Sequence, residues 1–88
     1  MTQQIKRWFS EYQLTGEDGI KAEWVRIQAG PWPSEEKAKS ACKKHLEANR
    51  SSSNHLAFRI VRDDPRGTVE YECHPPHAWR MRWHVSRW

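Results

Sequence analysis

The shortage of aliphatic side chains is the feature that most restricts how this chain can fold. Leu, Ile, Val and Phe occupy 13 of its 88 positions, a fraction that with a high net charge would indicate disorder. The net charge is only +4, and six Trp and two Tyr supply the missing apolar surface. Each large aromatic ring buries about 150–250 Å². The composition therefore predicts one small folded domain, residues 1–88, with a core rich in aromatic rings.

Membrane and secreted classes do not fit the sequence. No stretch approaches the roughly 20 apolar residues of a membrane-spanning helix, and residues 1–6 lack the apolar run of a signal peptide. The chain begins with Met, so we expect a complete, cytoplasmic protein without membrane contact. Its two cysteines, Cys42 and Cys73, are too few for a disulfide scaffold and are expected to be free thiols.

An amphipathic helix is predicted at residues 34–49. Ser34 is a suitable N-cap, and Glu35 and Glu36 place negative charge in the first turn, where the helix dipole favours it. Small and apolar side chains recur with the helical period and form one narrow face. This face consists of Ala38, Ala41, Cys42, His45, Leu46 and Asn49.

Strands are predicted on both sides of this helix. Residues 5–14 and 20–29 form a hairpin, and alternating apolar positions indicate further strands at 56–61 and 68–73. Alternation at 79–85 indicates a fifth strand, and Ser51 to Asn54 are expected to form a loop. The order β-β-α-β-β, with this last strand, predicts an α+β domain. One helix would lie on one face of an antiparallel sheet of four or five strands.

Positive charge is concentrated near the C-terminus. Residues 1–72 carry twelve basic and eleven acidic groups, whereas residues 73–88 carry three Arg and no acid. Arginines beside strand-borne aromatic rings can neutralise phosphates and stack bases, which favours nucleic acid as the partner. The candidate binding residues are Trp24, Arg26, Arg80, Arg82, Trp83, Arg87 and Trp88.

A solvated sheet face explains part of the same charge without any ligand. Strands carrying Arg59, Arg80 and Arg82 would flank Glu70 and Glu72, and cross-strand ion pairs would then account for these side chains.

A host protein is the alternative partner. An exposed Trp beside an Arg is typical of interface hot spots, so the chain could act as a protein-interaction module or as an inhibitor of a host protein. An unpaired last strand could also join a second copy, which leaves both monomer and homodimer open.

A zinc-stabilised domain is a further alternative. Two thiols and two imidazoles can form a tetrahedral zinc site. The spacing here is not that of a familiar zinc finger, and both cysteines lie at positions predicted to be buried. The four residues of this possible set are Cys42, His45, Cys73 and His77.

Catalytic signatures are absent from the sequence. It contains no GxSxG, HExxH, Walker or dinucleotide-binding motif, and its four glycines lie in predicted turns. We therefore expect a non-enzymatic binding protein without a cofactor.

Two stretches carry a resemblance to a known group. Trp24-Val25-Arg26-Ile27 leads through Gly30-Pro31-Trp32-Pro33 into Ser34-Glu35-Glu36-Lys37-Ala38, and Phe58-Arg59-Ile60-Val61-Arg62 follows. A strand, a Ser-Glu-Glu-x-Ala helix start and an Arg-Ile-Val-Arg strand in this order resemble short bacteriophage and prophage accessory proteins, over residues 22–64. The resemblance implies a small viral or mobile-element protein, many of which bind a host protein or nucleic acid. It assigns no functional residue.

Overall fold

Five antiparallel strands and one α-helix form the architecture of the computed structural model. It describes residues 6–73 and 81–86, with the side chains of all but residues 52–54. The elements are β1 (Trp8–Leu14), β2 (Val25–Arg26), α1 (Glu35–Ala48), a 3-10 helix (Arg50–His55), β3 (Leu56–Arg62), β4 (Val69–Cys73) and β5 (His84–Val85). The strand order across the sheet is β2-β1-β3-β4-β5. The predicted α+β class, one helix with one antiparallel sheet, is confirmed.

Helix α1 has the predicted start and the predicted apolar face. The Ser34 side chain accepts a hydrogen bond from the Lys37 amide at 3.2 Å, which satisfies one of the free N–H groups at the helix start. Four positions of the predicted face are buried, and the Asn49 side chain caps the other end by donating to the His45 carbonyl. The buried positions are Ala38, Ala41, Cys42 and Leu46.

The core lies between α1 and one face of the sheet. Small side chains on the helix allow close approach, and the Ser10 hydroxyl on β1 donates to the Ala38 carbonyl at 2.6 Å. Partly buried aromatic rings close the core, as the shortage of aliphatic residues predicts. The buried cluster contains Trp8, Ala38, Cys42, Leu46, Leu56, Phe58, Ile60 and Cys73, and the rings around it are Tyr12, Trp32, Tyr71 and Trp83.

The second strand is much shorter than the prediction of residues 20–29. Only Val25–Arg26 pair with β1 as a strand. On one side, a tight loop closes between Gly16 and Ile20. On the other side, the chain leaves the ladder near Gly30, where the φ of 148° is a conformation that favours glycine. Pro31 and Pro33 follow, and a proline has no N–H group to donate to a ladder. Pairing resumes only as an isolated bridge between Trp8 and Trp32.

The last strand and the serine-rich segment also differ from the sequence prediction. Of the predicted strand 79–85, His84–Val85 pair with β4. Residues 81–83 run beside α1 instead, and residues 79 and 80 lie outside the described part. Residues Arg50–His55 are a 3-10 helix rather than a loop, a common continuation at a helix end. Within the described residues, no helix has the length and apolar character needed to cross a membrane.

Candidate nucleic-acid interface

A row of directly opposed polar residues crosses all five strands on the sheet face away from α1, and its first four members alternate in charge. The strand register pairs Arg26 with Glu11, Glu11 with Arg59, Arg59 with Glu72, and Glu72 with His84. Opposite charges at directly opposed positions attract across an antiparallel sheet. The charges of its two arginines and two glutamates cancel, so this row presents no excess of positive charge to a phosphate.

Glu11 is the centre of this row. Its carboxylate contacts Arg26 at 3.1 Å and Arg59 at 2.6 Å, and the residue is only 7% exposed. The Arg26 guanidinium lies 3.8 Å from the centroid of the Phe9 ring, and the Arg59 guanidinium lies 4.3 Å from that of Trp24. The structure thus brings the predicted residues Trp24 and Arg26 into one cluster. Both guanidinium groups are occupied by a carboxylate and an aromatic ring.

Glu70 does not belong to this open face, contrary to the sequence prediction. The register between β3 and β4 shifts between Ile60 and Val61, so that Glu70 has no partner opposite it. Such an irregularity re-aims a side chain. The Glu70 carboxylate accepts a hydrogen bond from the Trp8 indole at 3.0 Å and pairs with Arg62. It therefore supports the core end of β1.

A second surface lies between α1 and residues 81–83, and we call it the Trp83 groove. It has a volume of about 640 Å³. Three cations line it against a single acid, and the half-buried Trp83 ring and Met81 thioether pack on the core. Its lining residues are Glu36, Lys39, Ser40, Lys43, Met81, Arg82 and Trp83.

The geometry of Lys39 ties this groove to the sheet. Its ammonium lies 4.2 Å from the centroid of the Tyr71 ring and 6.0 Å from that of Trp83. Glu35, the acid one helical turn before Lys39, accepts a hydrogen bond from the Tyr71 hydroxyl at 2.7 Å. Glu35 therefore binds Tyr71 on β4 and is not among the residues that line the Trp83 groove, where positive charge predominates.

Two of these cations were not among the residues that the sequence singled out. Lys39 is spaced from Glu35, and Lys43 from Glu47, as in ordinary ion pairs on a helix surface. A usable signal was the spacing of Glu36, Lys39, Ser40 and Lys43, which puts all four on one helix stripe beside the apolar face. That stripe faces the C-terminal segment only because β4 and β5 bring it there.

The remaining predicted binding residues divide between these surfaces and the undescribed segments. Arg82 and Trp83 line the Trp83 groove, on the other side of the sheet from Trp24 and Arg26. Arg80, Arg87 and Trp88 lie outside the described residues. The predicted set therefore does not form one surface.

A third surface, the Trp32 groove, lies on the other flank of α1. It has a volume of about 540 Å³. Apolar residues after β2 form one wall, and a helix stripe with two lysines forms the other. Its lining residues are Ile27, Ala29, Trp32, Lys37, Ser40, Ala41, Lys44 and His45.

Two of the four possible zinc ligands lie in the core. Cys42 and Cys73 are buried, and burial raises the pKa of the Cys42 thiol to about 12 and also raises that of Cys73. Both thiols are therefore protonated near neutral pH, whereas zinc binds thiolates. His45 stacks on Tyr12, and His77 lies outside the described residues. Within residues 6–73 and 81–86, no three potential donors converge.

Comparison with protein-family models, curated proteins and solved structures finds no match to this chain. The resemblance to phage accessory proteins stays a prediction. Function is therefore inferred from the chemistry of the three surfaces.

Proposed function

We propose that this chain is a non-enzymatic protein that binds single-stranded nucleic acid through the Trp83 groove. The observation that carries the proposal is the convergence of Lys39, Lys43 and Arg82 around Trp83, with Glu36 as the one acid among the lining residues. Ammonium and guanidinium groups neutralise phosphates, and an indole ring stacks on a base. Stacking requires an unpaired base, which favours a single strand over a duplex.

The charge balance separates this groove from the open sheet face. Lys43 and Arg82 are both exposed, and the groove has an excess of two positive charges. On the open face, Arg26 and Arg59 share the Glu11 carboxylate. A phosphate there would have to compete with the Glu11 carboxylate, which is already buried against both arginines. The Trp83 groove therefore has the stronger electrostatic attraction for a nucleic-acid backbone.

Salt dependence gives a quantitative test. On a single strand, the logarithm of the binding constant falls with the logarithm of salt concentration by about 0.7 per neutralised phosphate. Three cations therefore predict a slope of about 2 for a labelled oligothymidylate, measured by fluorescence anisotropy between 50 and 200 mM salt. No binding to this oligonucleotide at low salt would overturn the proposal.

Charge-removing variants locate the site. Lys43→Gln and Arg82→Gln should each weaken binding and reduce the salt slope by about 0.7. Arg66→Gln removes the same charge from the exposed β3–β4 turn and should leave the slope unchanged. Arg26→Gln tests the open face. If it lowers the slope as much as Arg82→Gln does, the proposed site is wrong.

A bacteriophage or prophage origin, implied by the resemblance, agrees with this kind of function. A host protein bound through Arg87 and Trp88 stays the alternative. A salt-independent interaction with a protein would favour it.

A further inference from the structure

The Trp32 groove has the shape of a small-molecule site. Ile27 and Ala29, which follow β2, form an apolar wall, and Trp32 adds an aromatic ring to the lining. Its volume of about 540 Å³ falls within the range of about 300–1,000 Å³ that is usual for ligand pockets. The groove is therefore large enough for a flat molecule of one or two rings.

The helix side of this groove places two ammonium groups beside the apolar wall. Lys37, Ser40, Ala41 and Lys44 follow one another at helical spacing and face the groove. Seven residues of helix put Lys37 and Lys44 about 10 Å apart along the axis, with the Ser40 hydroxyl between them. No Asp or Glu is among the lining residues of this groove. Its charge is complementary to an anion.

His45 adds a flat wall next to Lys44. The ring is held against Tyr12, with 4.2 Å between their centroids, and burial lowers the pKa of its imidazole below 6.5. The neutral form of the ring is therefore favoured at pH 7. An apolar ligand body can lie against it without desolvating a charge.

We infer that the Trp32 groove binds a small aromatic carboxylate. The aromatic body would lie between Trp32 and the wall formed by Ile27 and Ala29, and the carboxylate would pair with Lys44 or Lys37. This site does not depend on the proposed nucleic-acid function. The two grooves share only Ser40, and their lysines are different.

1-Naphthoate is a suitable probe, and binding can be followed by the amide chemical shifts of the ¹⁵N-labelled protein. We expect shifts at Ala29 and Ala41 that saturate with naphthoate. Naphthylmethylammonium has the same rings with the opposite charge and should bind at least severalfold more weakly. Equal affinity for the two probes, or no shift at these two amides, would overturn the inference.

Two adjacent lysines provide the matched variants. Lys44→Gln should weaken naphthoate about two- to fivefold, the range for a partly exposed ion pair, whereas Lys43→Gln should not. For the oligonucleotide we expect the opposite: Lys43→Gln should weaken binding and Lys44→Gln should not. Ala29 is exposed, so Ala29→Phe fills the groove from its rim and should abolish naphthoate binding while oligonucleotide binding persists. Unchanged naphthoate affinity in both Lys44→Gln and Ala29→Phe would exclude this site, whatever the oligonucleotide result.

Discussion

The imidazole of His45 lies nearly parallel to the phenol ring of Tyr12, with 4.2 Å between the ring centroids and 23° between the ring planes. Phe58 meets the same imidazole edge-on at 6.2 Å. Two aromatic neighbours replace water around a group that would otherwise be hydrated when charged. This burial lowers the pKa of His45 from its usual value of 6.5.

Acidification should therefore destabilise the fold through His45. In the unfolded chain this imidazole takes up a proton as the pH falls below 6.5, whereas in the folded protein it stays neutral until a lower pH. Its contribution to stability is complete above 6.5 and is lost as the pH falls through the folded pKa. His45→Phe keeps the stacking and should reduce the pH dependence of the free energy of unfolding between pH 5 and 6.5, measured by urea denaturation. An NMR titration of the imidazole with a midpoint at or above 6.5 would contradict this.

The N-cap gives a second prediction. Ser34→Ala removes the acceptor for the Lys37 amide and should lower the free energy of unfolding by about 1 kcal/mol. Ser40→Ala is the control, because Ser40 is an exposed residue in the middle of the same helix. Chemical denaturation followed by circular dichroism measures both. Equal effects would show that the Ser34 hydrogen bond contributes nothing.

Local features of the fold could be predicted from the sequence, and features that depend on strand register could not. The Ser34 cap and the apolar face through Ala38 and Leu46 follow from spacing within one helix. The row through Arg26, Glu11 and Arg59 depends on which residues stand opposite each other in three strands. No local pattern encodes that. Of the two acids that the sequence offered as partners of Arg59, Glu72 does stand opposite it, Glu70 does not, and Glu11 was missed.

The same limit applies to the candidate sites. Arg82 and Trp83 could be identified as candidates because the C-terminal segment is rich in Arg and Trp. The lysines that complete the Trp83 groove are a helical turn apart on α1, and only the sheet order brings this helix beside the C-terminal segment.

Loss of the Glu11 carboxylate should destabilise the open sheet face. Glu11→Gln leaves Arg26 and Arg59 next to each other without the shared anion. Breaking a fully buried ion pair costs about 3–5 kcal/mol, but the Arg26 and Arg59 side chains are 49% and 27% exposed. Solvent screening reduces the loss, and we expect about 1–2 kcal/mol by urea denaturation.

Glu23→Gln is the matched control for Glu11→Gln, because Glu23 is exposed and the charge change is identical. It should change stability by less than about 0.5 kcal/mol. If the two variants unfold at the same urea concentration, the Glu11 row does not stabilise the sheet.

Alkaline conditions should destabilise the core through Cys42. Burial, as the main cause, raises the pKa of this thiol from 9.0 to about 12, while the Ser10 side chain opposes part of the shift by hydrogen bonding. In the unfolded chain this thiol ionises above pH 9, whereas in the folded protein it stays protonated to a higher pH. Its contribution to the free energy of unfolding is therefore complete below pH 9 and declines as the pH rises toward the folded pKa. The slope from this group is about 1.4 kcal/mol per pH unit. Cys42→Ala should be less stable at pH 7 because of the cavity but should show a shallower decline between pH 9 and 10.5. Identical slopes in the two proteins would mean that the Cys42 thiol ionises as readily in the folded state as in the unfolded chain.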